Sequence, residues 1–187
     1  MVRLRALLFD LDGTLIDSAE ANHAAYARAL SEVGVEIDPG ELARRAAGRQ
    51  WRAFIPELLA AAGIECDAGH VARRKGELYR ETIGQLQLNG PLLALAASVR
   101  PAMKTVLVTT ASADNVSAIL SHFGLRDAFD LVVTGDDVSR HKPDPEAYRL
   151  VLARLAVEAA QCLAFEDSDV GVSSALAAGI AVVRVAF

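Results

Sequence analysis

Apolar residues along this chain gather into short runs. Leu4–Phe9, Thr105–Thr109 (TVLVT), Leu131–Thr134 (LVVT), Cys162–Phe165 (CLAF) and Ala181–Val185 (AVVRV) each read as a strand. None alternates apolar with polar, which is the pattern of strands covered on both faces, as in a parallel sheet. Helical patterns separate them. Asp114–Phe123 is followed by Gly124, and Ser168–Ala178 by Gly179. Pro145–Leu155 carries Asp144 as its expected N-cap and Pro145 in its first turn. Strand–helix–strand alternation predicts a doubly wound α/β sheet.

From Asp17 to Leu88 the pattern changes. No strand is evident, and four helices are expected at Asp17–Val33, Pro39–Ala47, Trp51–Ala62 and Ala68–Leu86, broken at Gly34, Gly48 and Gly63. About seventy residues stand here, where a parallel crossover requires only about a dozen. The excess predicts an inserted all-helical module over the sheet. Residues 1–16 and 87–187 would then form the α/β core, and residues 17–86 a helical cap.

Composition narrows the function classes. Of 187 residues, 52% are hydrophobic and 23% charged, enough to build a core and too apolar for a disordered chain. The net charge of -5 gives no basic excess for general nucleic-acid binding. No apolar run reaches the length of a membrane span. The basic then apolar start, Arg3 to Phe9, is cut short by Asp10 and Asp12, so it is not read as a signal peptide. Cys66 and Cys162 are too few for a disulfide framework, and reduced thiols in a cytoplasm are the expectation.

Two acidic clusters carry the sharpest chemistry. Phe9-Asp10-Leu11-Asp12-Gly13-Thr14-Leu15 puts two carboxylates at the C-terminal end of a buried strand, where open α/β sheets bind ligands. A turn would explain Asp-Gly alone, but paired carboxylates repel and are better explained by a bound cation. Glu166-Asp167-Ser168-Asp169 follows the CLAF strand and precedes a helix. Capping explains one or two of these residues, not all four. Carboxylates from two neighbouring strand ends suit magnesium. Lys142, one of only three lysines, sits in His-Lys-Pro-Asp-Pro, where the prolines stiffen the loop and hold it extended. An ammonium fixed there could neutralise a transferring phosphoryl group. Thr109-Thr110-Ala111-Ser112 ends a strand and opens a helix, offering hydroxyls and amides to an anion.

Together these segments resemble the haloacid dehalogenase-like hydrolase superfamily, in its β-phosphoglucomutase and small-metabolite phosphatase branch with a helical cap. Asp10-Leu11-Asp12-Gly13-Thr14 resembles the first family motif and Thr110 the second. Lys142 resembles the third, and Glu166-Asp167-Ser168 with Gly171 and Ala178-Gly179 the fourth. The resemblance implies a Rossmann-like core and an aspartyl-phosphate on Asp10. Asp12 would be the general acid and base, and Thr110 and Lys142 would hold phosphoryl oxygens. It implies Mg2+ on Asp10, the Asp12 carbonyl and Asp167, with Glu166 a ligand directly or through water. Leu11, Gly13, Thr14 and Ala111 would line the phosphate site. Within the cap, Arg49 is the candidate to touch substrate, beside Arg52, Arg44 and Arg45, because arginine suits carboxylate or phosphate recognition.

Asp12 speaks against dehalogenation, because dehalogenases lack that second aspartate. The mutase histidine expected four residues before Tyr26 is Asn22, with His23 one place off. Asn89-Gly90-Pro91 stands where relatives open the helix before the second strand with Pro-Gly. The last expected strand ends just before Phe187, which predicts an exposed or partner-covered sheet edge. The implied activity is Mg2+-dependent hydrolysis of a small phosphorylated metabolite, of sugar phosphate or phosphoglycolate type. Two alternatives stay open: a hexose-phosphate mutase, and a non-catalytic relative that binds a ligand or partner. A cytoplasmic monomer or small homo-oligomer is expected, without nucleic acid or membrane.

Overall fold

The computed structural model describes residues 3–46, 49 and 51–187. The predicted break at Gly48 and helix end at Ala47 lie outside them. The chain divides into two compact units, Met1–Asp17 with Gln87–Phe187, and Ser18–Leu86.

The first unit is built on five parallel strands. These are β1 (Ala6–Phe9), β4 (Lys104–Val108), β5 (Leu131–Val133), β6 (Cys162–Glu166) and β7 (Ala181–Arg184), in the spatial order β5-β4-β1-β6-β7. A separate ribbon pairs β2 (Ile16–Asp17) antiparallel with β3 (Gln87–Leu88). Helices α5 (Gly90–Val99), α6 (Ala113–His122), α7 (Glu146–Leu155) and α8 (Asp169–Ala177) link the parallel strands. The chain runs outward from β1 to β5, then crosses back to β6 and β7. Right-handed crossovers therefore put α5 and α6 on one face and α7 and α8 on the other, so the sheet is doubly wound. The order reverses beside β1, so the ligand crevice of such a sheet lies outside the C-terminal ends of β1 and its neighbours.

Register explains the apolar runs. Leu8 stands level with Val106 on one side and Ala164 on the other. These residues share a face and pack with Tyr148 and Val151 of α7 and Ala175 of α8. On the opposite face Phe9 stacks on Phe165, with ring centroids 4.9 Å apart, and meets Phe129 at 6.3 Å. Both faces of β1 are covered, and all four of its residues are buried. Edge strand β7 is far more open, with Val183 40% exposed.

Several helix ends differ from the sequence expectation. Helix α7 begins at Glu146 with Pro145 just before it, one residue later than expected, and the Asp144 side chain still accepts from the Glu146 amide (2.9 Å), the bond expected of a capping residue. Asn89 caps α5, accepting from the Leu92 amide at 3.3 Å, and its side-chain amide donates to Thr14 O at 3.1 Å.

The second unit is helical: α1 (Ala19–Ser31), α2 (Pro39–Ala46), α3 (Trp51–Ala61) and α4 (Ala68–Glu81). The first helix starts later than expected because Asp17 pairs with Gln87 in the ribbon. The last stops at Glu81, where Thr82 leads into a short 3-10 turn, Ile83–Gln85. Asp67 caps α4 by accepting from the Gly69 and His70 amides at 2.9 and 3.1 Å, worth about 1 kcal/mol. Leu30, Leu42, Phe54, Ile55 and Val71 form its interior. Tyr26 meets Phe54 edge-on at 5.2 Å. Among the described residues no helix is long and apolar enough to cross a membrane.

Candidate active site

The site grows from β1. The Asp10 amide bonds Phe165 O at 3.0 Å, which continues the β1–β6 ladder and carries Asp10 to the strand end beside Glu166 and Asp167. The chain then folds back on itself: Leu11 O accepts from the amides of Thr14, Leu15 and Ile16. Gly13 takes φ +81°, a left-handed conformation that glycine adopts without strain. A Cβ there would stand 2.7 Å from Asp167 Cγ, so the first acidic loop lies directly against the second.

Lys142 enters from the loop before α7 across a cis Lys142–Pro143 peptide. Its Nζ donates to Asp10 Oδ1 (2.7 Å), Glu166 Oε1 (2.6 Å) and Val108 O (2.9 Å). Those three bonds use all the N–H groups of an ammonium. Asp10, Lys142 and Glu166 are all buried. The Tyr148 hydroxyl also donates to Glu166 Oε1. Glu166 Oε2 is buried with no hydrogen-bond partner, close against Gly171.

Carboxylates gather here. Among the described residues, Lys142 is bonded to both Asp10 and Glu166, and the Asp12 and Asp167 carboxyls stand close by. Burial lifts the Asp10 carboxyl well above the usual carboxylate range; Lys142 opposes this, while Glu166 and Asp12 add to it. Burial alone would lower the Lys142 ammonium, but Asp10 and Glu166 outweigh it and hold it above its usual value. Burial likewise raises Asp167. A buried excess of negative charge favours uptake of a cation or proton. Asp10, Glu166 and Asp167 each offer an oxygen, all within 4.8 Å of one another. An all-carboxylate set with an unpartnered buried oxygen fits a hard, oxygen-preferring divalent cation.

The other expected residues are placed as follows. Asp12 is half-buried on the loop after β1. Leu11 is core, and Thr14 is fully buried with its hydroxyl unpartnered. Thr110 is exposed just beyond β4, two residues past the carbonyl that Lys142 holds. The Ala111 amide, expected to be open to an anion, donates to Thr109 Oγ1 at 3.0 Å. Gly135 packs so closely on this loop that a Cβ would overlap the Thr110 carbonyl. Glu166, expected as a metal ligand, has Oε1 committed to Lys142 and Tyr148, which leaves Oε2 for a cation. Arg49 belongs to the helical unit and grips Glu57 with two bonds, 2.6 and 3.0 Å.

Sequence residues 4–179 match the family described as haloacid dehalogenase-like hydrolase. The chain belongs to that family. It is 31% identical over 183 residues to the fructose-1-phosphate phosphatase YqaB of Escherichia coli, covering 98% of this chain and 97% of that protein. It is 33% identical over 179 residues to a phosphorylated carbohydrates phosphatase of Thermotoga maritima, covering 95% and 82%. Among solved structures it resembles CbbY of Rhodobacter sphaeroides, crystallised as an Asp-to-Asn variant with xylulose-(1,5)bisphosphate. The TM-score is 0.86 at 27% identity, covering 98% of this chain and 87% of that one. The Rossmann-like sheet is thus that of a haloacid dehalogenase-like hydrolase, and the two curated relatives are phosphatases.

Two features escaped the sequence reading. Tyr148, six residues after Lys142, reads as an ordinary core aromatic. Lys75 of the helical unit bonds Asn22 Oδ1 and lies 4.7 Å from both the Tyr26 and Tyr79 ring centroids. Asn22, at the position that the resemblance assigns to a mutase histidine, is therefore engaged with Lys75. Scarcity of lysine was the available signal for Lys75.

Proposed function

We propose that the protein is a phosphoric monoester hydrolase that uses magnesium and acts on a small phosphorylated carbohydrate or similar metabolite. The observation that carries this reading is the buried Asp10–Lys142–Glu166 cluster at the switch point of the sheet. It joins a nucleophile-type carboxylate, a fixed cation and oxygen ligands, and relatives with matching sequence act on sugar phosphates.

The chemistry follows from the residues. An Asp10 carboxylate oxygen attacks phosphorus, and the bond from phosphorus to the ester oxygen breaks. Asp12 gives its proton to that oxygen, and the alcohol leaves. A water then attacks the phosphorus of the aspartyl-phosphate and yields its proton to Asp12. The bond from phosphorus to the Asp10 oxygen breaks, releasing phosphate and restoring both carboxyl groups. Lys142 keeps Asp10 aimed and offers positive charge to the phosphoryl oxygens, and Thr110 adds a hydroxyl. Asp10, Asp167 and the Asp12 carbonyl would hold magnesium, which when bound supplies charge that offsets repulsion between the carboxylates and the phosphoryl group.

The test is phosphate release from a panel of sugar phosphates and phosphoglycolate, with magnesium and with chelator, for wild type and Asp10→Asn. Release that needs magnesium and is lost in Asp10→Asn is expected. A folded protein that releases nothing overturns the reading. Release only when a sugar bisphosphate is added would point to a mutase instead.

A further inference from the structure

Tyr148 lies outside every motif, yet its hydroxyl reaches into the centre of the site. It is fully buried on α7 and donates to Glu166 Oε1, the same oxygen that receives Lys142 at 2.6 Å. Lys142 has already spent its three N–H groups on Asp10, Glu166 and Val108 O. To donate to a phosphoryl oxygen, it must loosen one of the three. Glu166 is the strongest competitor, since it is charged, fully buried and has no other bond on Oε2. A second donor on Oε1 divides that oxygen's charge between lysine and phenol. It also fixes which carboxylate oxygen faces the lysine.

We propose that Tyr148 is a positioning residue which, through Glu166, sets how firmly Lys142 is held and so how readily its ammonium serves the phosphoryl group. The inference rests on the phosphatase reading above. The Lys142 ammonium also lies 5.5 Å from the Tyr148 ring centroid. Tyr148→Phe keeps that ring and its packing and removes only the hydroxyl.

The experiment measures kcat, KM and thermal midpoint for wild type, Tyr148→Phe, Glu166→Gln and the double variant on one magnesium-supported substrate, with Asp10→Asn as blank. Tyr148→Phe is expected to lower kcat about tenfold, within the range for removing a residue that orients a group touching the substrate, with KM close to wild type and the midpoint lowered by the loss of one buried hydrogen bond. In the Glu166→Gln background the same change should alter kcat less than about twofold, because the effect passes through the Glu166 charge. Wild-type kcat in Tyr148→Phe, or an equal fall in both backgrounds, overturns the proposal. Where Glu166→Gln is inactive or unfolded, Tyr148→Phe alone decides by its kcat and midpoint. An inactive wild type refutes the phosphatase reading. An active wild type, a silent Asp10→Asn and a normal Tyr148→Phe refute only the role of Tyr148.

Discussion

Replacing Gly171 by alanine sets two opposing effects against each other. Gly171 lies in the first turn of α8, where alanine would ordinarily gain up to about 1 kcal/mol of helix propensity. Its added Cβ, however, would overlap Glu166 Oε2 and stand 2.8 Å from Oε1, well inside the ~3.5 Å of a comfortable contact. The carboxylate must retreat, and Oε1 carries the bonds from Lys142 and Tyr148. Overpacking costs about 1–3 kcal/mol and full rupture of a buried pair about 3–5. Taking a loss of about 3 against a gain of about 1 leaves a net destabilisation of about 2 kcal/mol. For a chain of this length that lowers the thermal midpoint by about 4–8 °C. Calorimetry or circular dichroism on wild type and Gly171→Ala reads it directly. A variant that melts at or above wild type would refute the claim that Glu166 is pinned between Gly171 and Lys142.

Gly135→Ala should cost about 1–3 kcal/mol in chemical denaturation, because the new Cβ overlaps the Thr110 carbonyl and meets Ala111 O at 3.3 Å; an unchanged midpoint would contradict this. Burial pushes the Asp130 carboxyl up, but Lys104 at 2.8 Å and the Thr105 amide at 3.0 Å outweigh it and hold it below its ordinary value. Its stabilising effect is therefore complete above the unfolded pKa of about 3.9 and is lost as pH falls through the lower folded value. Asp130→Asn should be about 1 kcal/mol less stable at neutral pH, with the gap closing in acid; a constant gap would refute it. Cys162 is 1% exposed and burial pushes its thiol up to about 11, so iodoacetamide on the native protein should label Cys66 and spare Cys162 until denaturant is added.

What the sequence made legible follows from burial. The five parallel strands stand out because cover on both faces leaves runs such as Ala6–Phe9 wholly apolar, and carboxylates at the ends of such runs are conspicuous. Lys142 was visible because lysine is scarce and two prolines frame it. The β2–β3 ribbon was not visible, since two residues carry no period. For the same reason the helical pattern extends back to Asp17, although that residue pairs with Gln87. Tyr148 was missed because helical spacing marks an aromatic as core, and that is true of its ring; only the partner of its hydroxyl sets it apart. Nor could sequence show that Glu166 would turn one oxygen to Lys142 and leave the other bare. That choice depends on Gly171, five residues along, coming close enough to fix the carboxylate.

On the proposed mechanism Asp10, aimed by Lys142, becomes covalently phosphorylated. The most direct test mixes the protein with its best phosphoester substrate and magnesium, quenches in acid within the first turnover and maps the peptides by mass spectrometry. One phosphoryl group is expected on the peptide carrying Asp10, absent from Asp10→Asn and decaying as free phosphate appears. Turnover at full rate with Asp10 never modified, or a phosphoryl group on any other residue, would contradict it.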